Sequence, residues 1–338
     1  MSLAIPRTRW RGLALKGLLL ALGLCAVSAS IEHVLELRDA ARLTGSDTFY
    51  TTGERRIRYH LTGPSTPGPT LVLLNGLTAS LEQWDGVQAA LSTVSPVLSF
   101  DRGGAGFSDP ADANDANADA DELDQLLHSH EIAGPFVLVS YSSSLMMATV
   151  FAARHRDVVK GVVFLDPAPL GLPALPAPNT KTYRRVFWRF NIVAVQAFFG
   201  YTRLRLDMAG RNAPPFSPAS ERYDAAIKST HHWLATAHDA MSLDESVDEA
   251  DAAMATRPFA RVPLGVLTTM DPTESEYIRA IMERQKKLTA SSEQGIMRAV
   301  HLDHNQLLND PVAIGAIVDL IRTIVDEVRA KAAAGAGS

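Results

Sequence analysis

The chain has 338 residues, of which 46% are hydrophobic and 20% are charged, and its net charge is −5. This length suits one α/β domain with an insertion or two small domains, and the composition indicates a globular protein rather than a disordered one. The acidic balance and the lack of a basic stripe after the N-terminus give no sign of a nucleic-acid-binding protein. The single cysteine, Cys25, excludes an internal disulfide.

The first element in the chain is an apolar segment that follows three arginines within residues 7–11. A basic start before an apolar run is typical of a signal peptide or a membrane anchor, and residues 12–31 are long enough to span a bilayer, which takes about 20 residues. Small residues at 28–30 form a possible cleavage site, whereas the helical pattern that continues through residue 43 favours an uncleaved anchor. In both cases the basic start predicts that the rest of the chain lies outside the cytoplasm.

Apolar runs that end in turn residues then alternate with segments of helical spacing. The strand-like runs are RRIRYHLTG, TLVLLNG, SPVLSF, PFVLVS, VVKGVVFLDP, VPLGVLTTMDP and the start of GIMRAVHLDHNQLLNDP. This alternation predicts an α/β fold with a mostly parallel central sheet and helices on both faces.

The strand pattern is interrupted between residues 168 and 257. This stretch is first proline-rich and then apolar and aromatic, in VFWRFNIVAVQAFFG. That run is short for a membrane span and contains Arg189, so we interpret it as a cap helix that lines a pocket or touches lipid. We predict an anchor or signal segment with its linker over residues 1–45, an α/β core over 50–167 and 258–330, a helical cap insertion over 168–257, and a disordered tail over 331–338.

The stretch FVLVSYSSSLMM contains the first candidate for chemistry. An apolar run stops at a cluster of serines and a helical pattern follows at once, which is the strand–turn–helix context of the nucleophile motif G-x-S-x-G. Ser140 and Ser144 stand where that motif has glycine, and a clash at this tight turn would cost about 1–3 kcal/mol. The alternative is a plain turn in which Ser143 caps the helix.

Six stretches together resemble the α/β-hydrolase superfamily, in the order in which that fold uses them. They are LVLLNG, SFDRGGAGFSDP, LVSYSSS, VVFLDP, GVLTTMDP and HNQLLNDP. With the N-terminal apolar segment, the chain looks like the membrane-anchored bacterial branch of serine hydrolases and esterases. The resemblance implies an α/β-hydrolase fold with a helical cap insertion.

The resemblance also implies a catalytic set. Ser142 would be the nucleophile and His304 the base, since it follows the last strand. The chain order Ser…Asp…His favours Asp271 as the acid, after the strand before the final one. Asp166, after the strand that follows the nucleophile, is the alternative.

An oxyanion hole completes this expectation. Backbone N–H groups of Ser143 and of Leu77, which follows Asn75-Gly76, would donate to the developing oxyanion. The family usually has histidine where this chain has Asn75, but the donors belong to the backbone, so the hole can survive.

The candidate metal and phosphate-binding motifs of the sequence each lack a required residue. His301 and His304 have no third ligand at a sensible spacing, and the DANDANADADE stretch has Ala120 and Leu126 where a calcium loop needs glycine and glutamate. The glycine-rich DRGGAGFSD lacks the lysine of a phosphate loop. We therefore predict no cofactor and no metal.

These observations predict a serine hydrolase that cleaves a small or lipophilic ester through an acyl-enzyme. Its partners would be a small-molecule ester and, through the N-terminal segment, a membrane, with no nucleic acid. The substituted turn leaves an alternative open, namely a catalytically impaired protein of the same fold that binds a lipophilic ligand or a partner protein.

Overall fold

A computed structural model describes the backbone of residues 7–64, 68–112, 114–130, 132, 134–168, 180–209, 220–270 and 276–336. Eight strands form one sheet in the order β1-β2-β4-β3-β5-β6-β7-β8. They are β1 (Thr48–Thr52), β2 (Arg55–Thr62), β3 (Thr70–Leu74), β4 (Val97–Phe100), β5 (Phe136–Tyr141), β6 (Val159–Leu165), β7 (Leu264–Thr269) and β8 (Gly295–Val300). β2 pairs antiparallel with β1 and β4, and all other pairs are parallel. The predicted mostly parallel sheet is confirmed.

Helices connect these strands and extend from both ends of the core. In the described residues they are α1 (Arg7–Leu43), α2 (Asp85–Leu91), α3 (Ala116–Ser129), α4 (Leu145–Arg154), α5 (Thr180–Phe198), α6 (Tyr201–Ala209), α7 (Glu221–Lys228), α8 (Thr230–Met241), α9 (Leu243–Ala255), α10 (Glu276–Thr289) and α11 (Pro311–Ala336). Helices on both faces of the sheet are the second feature that the alternating pattern predicts.

The central strands are mostly apolar because both of their faces are covered. In β3, Leu71 and Leu73 pack in a cluster with α2 and α11. Val72 and Leu74 point to the opposite face, in a cluster with α3 and α4. Side chains alternate between the two faces of a strand, so the four apolar residues of β3 contribute to two separate cores.

The edge strand β1 has no such signature. It is mostly exposed or half-buried, and it contains the polar sequence TFYTT. Its partner is β2, in which Ile57, Arg58 and Tyr59 are buried and the residues toward both ends are exposed or half-buried. Edge strands need only one covered face and few apolar residues, which is why the sequence pattern predicts β2 and not β1.

Between β6 and β7 the described residues form helices and no strand. We call α5 to α9 the inserted helices. Among them α5 packs on α8, and α9 packs against α3 and α4 of the core. The boundaries of the predicted cap, at residues 168 and 257, stay a prediction.

The acidic stretch before α3 caps that helix. The Asp115 carboxylate accepts a hydrogen bond of 2.8 Å from the N–H of Ala118. A carboxylate at this position satisfies a free N–H and is favoured by the helix dipole.

Helix α1 is long and unbroken. Its residues Gly12–Leu43 are long and apolar enough to cross a membrane, with a mean hydropathy of 1.9 over the most apolar window and none of that window buried. No other helix among the described residues meets this test. The segment is consistent with a membrane anchor or a signal sequence.

Candidate active site

The serine turn lies where β5 ends and α4 begins. Ser142 opens a single 3-10 turn, Ser142–Ser144, that leads directly into α4. Its φ angle is +57°, in the left-handed region that residues other than glycine rarely occupy. Such a conformation costs on the order of 1–3 kcal/mol and projects the Ser142 hydroxyl from the carboxyl edge of the sheet, as in a nucleophile elbow.

The two serines that replace glycine are held by hydrogen bonds. The Ser144 hydroxyl accepts a hydrogen bond from the N–H of Tyr141 at 3.0 Å and donates one to the Leu74 carbonyl oxygen at 2.8 Å. The hydroxyls of Ser140 and Ser144 are 3.0 Å apart, and both side chains are buried. Neither residue has a positive φ angle. The expected clash at the turn is therefore replaced by a polar bridge between β3 and β5.

His304 reaches this turn from the loop after β8. Its Nε2 lies 3.0 Å from the Ser142 hydroxyl oxygen. The ring stacks on Tyr141, with centroids 4.9 Å apart and 16° between the planes, and the Tyr141 hydroxyl donates to the His304 carbonyl at 2.9 Å. Burial raises the pKa of Tyr141, so its hydroxyl stays protonated and available as a donor. The ring and the backbone of His304 are thus fixed by the residue that precedes Ser142.

Asp166 supplies the carboxylate beside His304. It directly follows β6, and its Oδ2 lies 2.6 Å from His304 Nδ1 and 2.6 Å from the Thr269 hydroxyl. Its Oδ1 accepts from the Thr269 N–H at 3.1 Å and from Gln285 Nε2 at 3.1 Å. Burial would raise the pKa of Asp166, but the hydrogen bonds from His304 and Thr269 outweigh it and hold that pKa below its usual value.

The Asp166 carboxylate determines which nitrogen of His304 carries the proton. An ionised carboxylate only accepts hydrogen bonds, so neutral His304 carries its proton on Nδ1, toward Asp166. Nε2 is then free to accept the proton of the Ser142 hydroxyl. The structure brings together Ser142, His304 and Asp166, which is the alternative acid of the sequence analysis. Asp271, the preferred acid there, lies outside the described residues.

The two expected oxyanion donors lie next to each other. Leu77 and Ser143 line the same small cavity, of about 20 Å³, which has room for about one water molecule. Gly76 allows this approach, since a Cβ there would lie 3.0 Å from the Tyr141 carbonyl oxygen and 3.2 Å from the Cβ of Ser142.

The Asn75 side chain points away from this place. It donates to the Phe100 carbonyl at 2.8 Å and accepts from the Trp84 indole N–H at 2.7 Å. The replacement of the family's usual histidine therefore ties β3 to β4 and to the start of α2. The side chains of Asn75 and Ser144 are both engaged elsewhere than at the oxyanion position.

The arrangement matches a family of known proteins. The sequence model of a family described as alpha/beta hydrolase fold matches residues 69–244, more than half of the chain. The chain belongs to the alpha/beta hydrolase fold family. The family predicted from the motif order is thereby confirmed.

Two curated relatives of this α/β hydrolase align over shorter stretches. "Uncharacterized protein YqjL" of Bacillus subtilis is 30% identical over 102 residues, which are 30% of this chain and 40% of the relative. "Uncharacterized protein C23C11.06c" of Schizosaccharomyces pombe is 37% identical over 81 residues, 24% of this chain and 15% of the relative. The chain thus matches less than half the length of either relative.

Solved structures resemble this α/β hydrolase over most of its length. The Cif epoxide hydrolase of Acinetobacter nosocomialis has a TM-score of 0.64 at 13% identity, over 85% of this chain and 96% of that one. A thermophilic esterase of Thermogutta terrifontis has a TM-score of 0.61 at 21% identity, over 83% and 99%. The enol-lactonase of Burkholderia xenovorans LB400 has a TM-score of 0.56 at 19% identity, over 81% and 100%. At these identities the likeness shows the fold.

Several residues of the site carry no signal in the sequence. Thr269 and Gln285 bond the Asp166 carboxylate from β7 and α10, more than 100 positions away. Tyr141 fixes His304 from the last position of β5. Threonine, glutamine and tyrosine are common in any chain, and only their placement against Asp166 and His304 distinguishes them.

Buried polar contacts join the inserted helices to the glycine-rich stretch DRGGAGFSD, which follows β4. The Arg102 guanidinium bonds Asp119 of α3 at 2.6 Å and Asp239 of α8 at 2.7 Å. His232 of α8 is fully buried, and its Nδ1 accepts from the N–H of Gly106 at 3.1 Å. Burial lowers the pKa of His232 to about 3, so it is neutral and able to accept. Charge and hydrogen bonding thus hold α8 against the loop beside the candidate site.

Proposed function

We propose that this α/β hydrolase is a serine esterase that works through an acyl-enzyme. The observation that supports the proposal is the unbroken chain of contacts from Ser142 Oγ to His304 Nε2, at 3.0 Å, and from His304 Nδ1 to Asp166 Oδ2, at 2.6 Å. A nucleophile, a base and an acid that orients the base are the parts that nucleophilic acyl transfer requires.

In the proposed reaction Ser142 Oγ attacks the carbonyl carbon of the ester while its proton passes to His304 Nε2. Asp166 stabilises the imidazolium that forms and keeps the ring in place. The N–H groups of Leu77 and Ser143 hold the oxyanion of the tetrahedral intermediate. His304 then returns the proton to the leaving alcohol, and a water molecule, activated by the same base, releases the acid from the acyl-enzyme.

The chemistry of the nucleophile favours acyl transfer over ring opening or dehalogenation. Relatives of this fold that attack an sp³ carbon do so with a carboxylate, and position 142 is a serine.

A fluorophosphonate probe tests the proposal, because it reacts with serines that a base has activated. Wild-type protein should be labelled, and Ser142→Ala should not. Ser143→Ala is the matched control, since the proposed role of Ser143 belongs to its backbone N–H, and it should be labelled like the wild type. A folded wild type that takes no label would favour the alternative, a protein of this fold that binds a lipophilic ligand or a partner without turnover.

We also propose that α1 is retained as a membrane anchor, with the α/β core outside the cytoplasm. Support comes from the unbroken helix through the possible cleavage site and from contacts of its second half with the inserted helices. The Thr230 N–H donates to Glu36 at 2.7 Å, and Arg42 pairs with Glu221 at 2.7 Å. Intact mass of the protein extracted from membranes tests this: a mass that lacks residues 1–30 would show a cleaved signal.

A further inference from the structure

The inserted helices present an unusual apolar surface beside α1. Large apolar side chains are exposed on α5, on α6 and on the turn between them, and we call the following six the apolar face: Trp188, Ile192, Val195, Phe198, Phe199 and Leu204. The first three recur at helical spacing, so they lie on one side of α5. The sequence left two roles open for this helix, namely lining a pocket or touching lipid. Trp188, with 58% of its surface exposed, faces solvent rather than a closed pocket. A contiguous exposed surface of this kind marks contact with a membrane or a protein.

The position of this face along α1 indicates which of the two it meets. A span of about 20 residues that begins at Gly12 ends near Ile31. The Ser28 hydroxyl, within the last turn of that span, donates to the Phe199 carbonyl at 2.8 Å. The turn that contains Phe199 therefore lies level with the end of the proposed span, which is the depth of the headgroups and the first acyl carbons.

Buried charges fix the turn at that level. Arg203 of α6 bonds Glu32 at 2.8 Å and Asp39 at 2.6 Å, with all three side chains largely buried. Gly200 permits the close approach, because a Cβ there would lie 3.0 Å from a Glu32 carboxylate oxygen, and its φ of +73° is one that glycine adopts readily. Separating α1 from α6 would break these charge-assisted hydrogen bonds, so they hold the two helices together at this level.

The charge of α5 matches the surface of a bilayer. Residues Thr180–Phe198 include four basic residues and no acidic residue, although the whole chain carries a net charge of −5. Arg185 and Arg189 are exposed near Trp188. A helix that combines basic residues with an exposed aromatic and aliphatic side is typical of helices that lie in the membrane interface.

We propose that the apolar face is a second membrane contact, through which the inserted helices rest in the headgroup region of the same bilayer that α1 spans. This proposal rests on the retained anchor proposed above and does not depend on the reaction at Ser142. It predicts that the inserted helices lie at the bilayer surface, where lipophilic molecules concentrate.

Fluorescence quenching in lipid nanodiscs tests this contact. Full-length protein carries one environment-sensitive thiol dye at a time, and the discs contain phosphatidylcholine, phosphatidylglycerol and a lipid with a doxyl spin label near the headgroup end of its acyl chain. The native Cys25 reports on the anchor, and Val195→Cys, made in a Cys25→Ser background, reports on the apolar face. Leu61→Cys in the same background is the matched control, since Leu61 is also an exposed apolar residue but lies on β2 opposite Leu98, at the amino edge of the sheet.

The expected result is severalfold stronger quenching at Cys25 and at position 195 than at position 61. Quenching at Cys25 with a value at position 195 no higher than at position 61 would leave the anchor in place and overturn the contact of the inserted helices. No quenching at Cys25 would overturn the anchor and this proposal with it. The dye at position 195 could instead escape quenching in discs with one copy of the protein and become shielded from solvent in discs with two copies. That result would show that the apolar face binds a second copy and not the bilayer. A cooperative thermal transition in each variant shows that it is folded.

Discussion

Replacing Asp166 by asparagine tests the assignment of the acid most directly. The carboxylate of Asp166 receives four donors: His304 Nδ1 and the Thr269 hydroxyl on one oxygen, and the Thr269 N–H and Gln285 Nε2 on the other. An asparagine amide group can accept on only one side. The Thr269 N–H is a backbone donor and cannot turn away, so the asparagine oxygen takes that side and its NH₂ group faces His304.

This placement changes the tautomer of His304. An NH₂ group beside Nδ1 favours an unprotonated Nδ1, which leaves the proton on Nε2, facing Ser142. The serine then has no base. We expect the asparagine variant to lose roughly 10⁴-fold in kcat, the order found when the acid of a serine triad becomes an amide. At about 1.36 kcal/mol per factor of ten, this is about 5 kcal/mol of transition-state stabilisation.

The assay is steady-state hydrolysis of a chromogenic short-chain ester by detergent-solubilised protein, with the rate of fluorophosphonate labelling as a second readout. Asp271→Asn is the matched control and should keep near wild-type kcat. Equal KM values for wild type and Asp166→Asn would show that the loss lies in chemistry and not in binding. A silent Asp166→Asn together with a severe Asp271→Asn would refute the reasoning and move the acid to position 271.

Three further predictions concern stability and are read from urea unfolding. Ser144→Ala removes the acceptor of the buried Tyr141 N–H and should lower the free energy of unfolding by about 1–3 kcal/mol, whereas Ser143→Ala should change it little; equal effects would argue against the polar bridge. The pKa of Asp166 lies below its usual value despite burial, because of its hydrogen bonds, so the stabilisation by its ionised form is complete above about pH 4 and is lost as the pH falls through the lower folded pKa. The stability advantage of wild type over Asp166→Asn should therefore shrink from pH 7 to pH 3, and a pH-independent difference would contradict the shift. Arg102→Ala leaves two buried carboxylates without their cation and should cost about 3–5 kcal/mol; a cost below 1 kcal/mol would show that this cation does not hold the inserted helices.

Parallel strands buried on both faces have a strong sequence signature, and the core of this fold could be predicted from it. β3, β5 and β6 are mostly apolar, and the serine turn follows β5 as the strand–turn–helix pattern indicates. Ser142 and His304 were candidates because each follows a strand end, and parallel strands end at one edge of the sheet. The edge strand β1 escaped prediction because it buries too little to require apolar residues.

The acid illustrates what a linear sequence leaves open. Asp166 follows β6, and in the sequence Asp271 comes two positions after the end of β7, which is the neighbour of β6 in the sheet. Each of the two neighbouring strands is therefore followed by a candidate acid in the sequence. The position of Asp166 beside His304 depends on hydrogen bonds from Thr269 and Gln285, which the fold brings close from β7 and α10. No local spacing encodes that choice.

The serines of the turn and the aromatic residues of α5 also separate what the sequence determines from what the tertiary structure decides. The sequence determined that Ser140 and Ser144 are small and polar, and that α5 has an apolar side with basic flanks. The tertiary structure decided that Ser144 meets the Leu74 carbonyl, 70 positions away, and that Trp188 faces outward. Periodicity depends on the geometry of one element, whereas hydrogen-bond partners and the direction of an exposed face depend on where other elements pack.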